Sequence, residues 1–143
     1  MLIFMITILS ACSADSMIAV KSSYGVKETG DRLERVLDEK GMTLFNRVKH
    51  SGAAEDVGVE LRDTELFIFG NPNVGSPLMK CQQSVAIDLP QKALIWMDSA
   101  GDTWISYNNP RYLEKRHDIS NCEDIISTIE TALAGIAEAA ATE

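Results

Sequence analysis

The C-terminal stretch SNCEDIISTIETALAGIAEAAA constrains the fold more than any other part of the chain. Ser120 and Glu123 have the spacing of a capping box. Cys122, Ile125, Ile126, Ile129, Leu133, Ile136, Ala137 and Ala140 recur at helical intervals. A long helix with one apolar face cannot stand alone in water. It needs a sheet or a second layer of helices broad enough to cover that face.

The upstream chain supplies a sheet. Ile18 and Val20 alternate with Ala19 and Lys21, which predicts a half-buried strand. Val26, Leu33, Val36 and Leu37 then fall on one face of a helix whose other face is charged, and Gly41 closes it. A second strand is predicted over 42–49, ending at His50 and a small-residue loop, Ser51-Gly52-Ala53-Ala54. Further strands fall near 66–69, 93–97 and 103–107, the last two joined as a hairpin. The pattern is α+β: a mainly antiparallel sheet with helices on one face. A chain of 143 residues with 45% hydrophobic and 24% charged residues can bury a core of that kind in one domain. The alternating aromatics Phe67, Phe69, Trp96, Trp104 and Tyr107 are read as core.

The segment LFIFGNPNVGSPLM has the order of a phosphate-binding loop: strand, glycines, helix start. Gly70 and Gly75 have the spacing. Ser76 and Pro77, however, occupy the positions that need a lysine and a hydroxyl, and Pro72 removes a backbone donor. A triphosphate would meet no fixed charge there. A plainer reading makes Asn71-Pro72-Asn73 a turn, Ser76 a helix cap and Pro77 the first helical residue. The net charge of -8 opposes nucleic acid as a partner, because such binding needs a basic face to displace counterions.

Residues 2–9 are apolar and are followed by Leu9-Ser10-Ala11-Cys12. The run is too short to span a bilayer but matches a secretory leader, and its end resembles a bacterial lipobox in which the cysteine is acylated. On this reading residues 1–16 are a leader and short tether, residues 17–143 form the domain, and Cys12 anchors it in the cell envelope facing the periplasm. No Lys or Arg precedes the apolar run, and Met17 opens a start of its own. A start at Met17 would make the protein cytoplasmic. Export would leave Cys81 and Cys122 in an oxidising compartment, where they either pair or stay as two buried thiols.

Together, the segments LFIFGNPNVGSPLM, AIDLPQKALIWMD, GDTWISYNNPRYLEKRH and MIAVKSSYGVKETGDRLERVLDEKGMTLFNRVKH resemble the small bacterial and archaeal family catalogued as domain of unknown function 302. The resemblance runs over about residues 17–137. It implies a β-α-β(4)-α fold of the TATA-binding-protein-like class and a homodimer, and it brings no activity, cofactor or catalytic residues. The chain departs from the family pattern at Gly25, where a capping serine is common, and in having Cys81 and Cys122.

Candidate chemistry centres on two histidines, His50 and His117. Converging imidazoles bind metal or haem iron, and a single one serves as a base beside Asp88 or Glu60. The structural alternative has His50 bonding a loop and His117 at a helix end. No close-paired metal spacing and no nucleophile elbow is present. The sequence is thus read as a non-enzymatic, dimeric, envelope-located binding domain. His50 and His117, with Asn71 and Ser76, would hold a small ligand or metal. The alternative is an enzyme using His50 as general acid or base.

Overall fold

In the computed structural model, which describes residues 16–143, alternate residues of five strands divide the sheet into two faces. The strands are β1 (Met17–Lys21), β2 (Thr43–Lys49), β3 (Thr64–Gly70), β4 (Gln91–Met97) and β5 (Thr103–Asn108), ordered β1-β5-β4-β3-β2 with every pairing antiparallel. Phe67, Phe69, Ile95, Ile105 and Tyr107 point to one face. There they pack into a single core with Leu33 and Leu37 of α1 (Val26–Glu39) and Ile126, Ile129, Leu133 and Ile136 of α5 (Glu123–Ala141). The α+β fold expected from the periodicities is the one observed. Cys12 and the leader assigned to it lie outside the described residues.

Gly30 sets how closely α1 approaches the sheet. A Cβ there would stand 2.7 Å from an Arg47 nitrogen and 2.9 Å from the tip of Phe67. Arg47 cannot easily yield, because it bonds Glu65 at 2.6 Å and Asp31 at 2.8 Å while lying over the Phe67 ring. At the other end, Arg111 of α4 (Pro110–Arg116) bonds Glu123 and Glu130 and so ties α4 to α5.

Four local readings need correction. Residues 50–54 are not a loop: α2 (His50–Glu55) covers them, because the two alanines extend a short helical turn that the glycine does not break. The helix after β3 starts early. Asn71 caps α3 (Pro72–Cys81) by accepting a bond from the Asn73 N–H at 2.9 Å, so Pro72 takes the first turn and Pro77 lies inside. Ser120 caps nothing, since α5 begins at Glu123 with Cys122 in the cap position and no side-chain cap bond. Trp96 and Trp104 face away from the helices, paired across β4 and β5 and half-buried. Their indole N–H groups bond Ser106 at 2.9 Å and Asp98 at 2.8 Å, so both rings keep a polar partner on that face.

Candidate functional site

Residues 71–90 cross from β3 to β4 and carry α3 and a 3-10 turn, Gln83–Ile87. Between this crossover and the middle of α5 lies a cavity of about 300 Å³. Val74, Met79 and Leu89 line it from the crossover, and Ile129, Ala132 and Leu133 from α5. β2 supplies the mouth. Its register pairs Leu44 with Phe69 and Asn46 with Ile68, which leaves Phe45 as the extra residue of a bulge. The Phe45 side chain is 54% exposed and lies at the cavity beside Gly70.

Among the described residues, no charged side chain lines this cavity. Its polar groups are neutral: Asn71, Ser76, Gln91 and Thr128. Two are already engaged, since Asn71 Oδ1 caps α3 and the Thr128 hydroxyl donates to the Asp124 carbonyl. The remaining surface is apolar, with methionine and leucine side chains that can adjust to an occupant.

A second cluster sits on the other side of the 3-10 turn. His117, which caps the C-terminus of α4, has Nε2 2.5 Å from Asp88 Oδ2 and Nδ1 3.0 Å from the exposed Ser84 hydroxyl. The Asp88 carboxylate accepts from Nε2–H, so Nδ1 of the neutral ring is assigned as acceptor for the Ser84 O–H. Arg116 donates to the other Asp88 oxygen at 3.0 Å. This arrangement can draw a proton from Ser84, and it also fastens the crossover to α4. Cys81, at the end of α3, is joined to Cys122 by a disulfide with a Cα–Cα distance of 6.5 Å.

The structure divides the four residues proposed from sequence. Asn71 and Ser76 line the cavity. His50 is exposed at the start of α2, next to Lys49, which pairs with Glu65 at the beginning of β3. His117 contacts Asp88, three residues before Gln91, which pairs with Phe69 at the end of β3. The two histidines are thus tied to opposite ends of β3, at Glu65 and Phe69, positions roughly 13 Å apart along the strand, and are not brought together. Among the described residues no three His, Cys, Asp or Glu side chains come close enough to hold a metal ion. Phe45, Thr128 and Ala132 line the cavity without having been singled out beforehand.

The family described as "Domain of unknown function DUF302" matches residues 18–136. The crystal structure of an uncharacterized conserved DUF302 protein from Bacillus stearothermophilus superposes with a TM-score of 0.81 over 89% of this chain and 99% of that one, at 22% identity. Two proteins named "Fluoride-specific ion channel FluC 1", from Brucella suis and Brucella abortus, are each 38% identical over 109 residues, which is 76% of this chain. The chain spans only 43% and 40% of their respective lengths.

Proposed function

The chain belongs to the family described as domain of unknown function DUF302, and from that premise we propose that it is a small non-enzymatic binding domain whose ligand occupies the cavity between α3 and α5. The observation that carries this reading is a cavity of about 300 Å³ with no charged lining residue, in a chain where charged residues make up 24%. A charged ligand group would lose its hydration there without compensation. The net charge of -8 adds repulsion for anions. At about 300 Å³ the space stands at the lower end of ordinary ligand pockets and suits a neutral, mainly apolar molecule of two or three rings.

A neutral fluorescent probe, N-phenyl-1-naphthylamine, tests the reading. Wild-type protein is expected to bind it with a rise in fluorescence. Ala132→Trp, which fills the cavity from α5, should weaken binding at least tenfold while the protein stays folded. Failure of the probe to bind, or equal binding by the variant, would refute the site.

A second reading has its own observation. Ser84, His117 and Asp88 form a hydrogen-bonded relay with an exposed hydroxyl at its end. If the protein is an enzyme, the base is His117 rather than His50, and turnover should depend on His117 with a bell-shaped pH profile.

The envelope location, the lipid anchor at Cys12 and the homodimer belong to this proposal. The relatives named as channels support a membrane-side setting, although they are longer than this chain. No helix among the described residues is long and apolar enough to cross a membrane. The homodimer is supported by the sheet face turned from the helices, where Val48, Leu66, Leu94, Trp96 and Trp104 are half-buried.

A further inference from the structure

We infer that the Cys81–Cys122 disulfide is a redox latch on the cavity, holding its outer wall closed when oxidised and freeing it when reduced; this rests on the binding reading above. The outer wall is the crossover 71–90, which supplies Val74, Met79 and Leu89 to the lining. Both of its ends are fixed in the sheet, at Gly70 and Gln91. Apart from Lys92 of β4, which donates to the Asp88 and Pro90 carbonyls, its covalent, charged and side-chain hydrogen-bonded ties to other described elements converge on one short stretch of chain. Cys81 is cross-linked to Cys122, Asp88 bonds His117 and Arg116, and Ser84 bonds His117.

That stretch includes the connection between α4 and α5, which turns through two residues in the left-handed region. Asp118 has φ 51° and Asn121 has φ 60°, the left-handed region that residues other than glycine enter at a cost. A cross-link beside two such residues holds both the wall and the connection that receives it. Leu78 and Val85 are buried and keep the wall docked on the core. Loss of the cross-link therefore loosens the wall without unfolding the sheet.

Cys81 is exposed, so a reductant can reach it. The reductant is a dithiol. One of its thiolates attacks Cys81 Sγ, and Cys122 leaves as a thiolate. The second thiol of the reductant then resolves the mixed disulfide. Two electrons and two protons pass to the protein, leaving Cys81 and Cys122 as thiols and the reductant as a disulfide.

The test uses the full chain carrying Cys12→Ser, so that the latch pair are its only cysteines. Hydrogen exchange is followed by mass spectrometry before and after treatment with dithiothreitol, alongside release of N-phenyl-1-naphthylamine. Reduction is expected to speed exchange in residues 71–90 at least tenfold, to leave β3 and β4 protected, and to speed probe release by a similar factor. A Cys81→Ser, Cys122→Ser form should match the reduced protein and ignore dithiothreitol; should it fail to fold, the reduced chain carries the comparison alone. Unchanged exchange in 71–90 would overturn the latch. So would loosening spread evenly over the whole domain, which marks a plain structural staple. A probe that never binds the oxidised protein would sink the binding reading, and exchange would still judge the latch.

Discussion

His117 and Asp88 meet at 2.5 Å with side chains only 7% and 13% exposed, whereas the other histidine, His50, lies in the open at the start of α2. The two imidazoles should therefore respond unequally to removal. His117→Ala strips Asp88 of a charge-assisted partner and Ser84 of its acceptor, and should cost about 1–3 kcal/mol of stability. His50→Ala should stay within about 0.5 kcal/mol. Urea unfolding of both variants decides the matter, and an equal loss at the two positions would contradict the geometry.

Two helical glycines should give opposite signs on substitution by alanine. At Gly30 the added Cβ meets Arg47 and Phe67 at 2.7 and 2.9 Å, and overpacking of that kind costs about 1–3 kcal/mol. The gain in helix propensity, about 1 kcal/mol, offsets only part of it. At Gly135 in α5 nothing stands within 4 Å, so only the gain remains. Thermal unfolding should show Gly30→Ala lowered and Gly135→Ala raised relative to wild type.

Sequence periodicity carried the large elements because burial imposes it directly: Leu33 and Leu37 on α1, and Ile126, Ile129 and Leu133 on α5, are the core residues that the spacing marked. It could not say which face of β4 meets the helices. Ala93 and Ile95 do, while Leu94 and Trp96 do not, and both sets are apolar. The cavity was half legible. Asn71 and Ser76 stood out through the glycine loop, but Phe45 reaches the mouth only because of a bulge, and Ala132 only because α3 packs against α5. Asp88 beside a histidine was among the pairings the sequence allowed. That the partner is His117 follows from a contact between residues far apart in the chain, which local pattern does not encode.

Acid should destabilise the fold partly through Asp31. Its carboxyl is held down at about 2, first by the hydrogen bond from Lys27 and then by that from Arg47. An unfolded aspartate titrates near about 3.9. The folded state thus favours the carboxylate: the contribution is fully present above that value and is lost as pH falls through about 2. Because the side chain is 37% exposed, solvent screens the effect and its size is modest. Asp31→Asn should flatten the dependence of melting temperature on pH between about 4 and 2. Asp98, held low by the Trp104 N–H, and Glu123, held low by Arg111, would supply the slope that remains.

The proposed lipid anchor at Cys12 can be tested independently of the domain. Protein expressed with its first sixteen residues intact should incorporate labelled fatty acid and sediment with membranes, and Cys12→Ala should do neither. Labelling that survives the substitution would place any acyl group elsewhere.

The proposed homodimer makes a demand on one particular surface. Val48, Leu66 and Leu94 are neighbours across β2, β3 and β4 on the sheet face turned from the helices, and Trp96 and Trp104 continue that apolar area. A second copy laid on this face would bury it. Sedimentation equilibrium of the domain should then show a dimer at micromolar concentration, and Leu94→Lys should yield a folded monomer, because a charge would be desolvated in each half of the interface. Another apolar surface competes for the same role: Val57, Val59 and Leu61, exposed on the segment between α2 and β3 at 76%, 55% and 46%. A dimer that survives Leu94→Lys but falls apart with Val59→Lys would move the interface to that segment. A wild-type monomer at micromolar concentration would remove the dimer altogether.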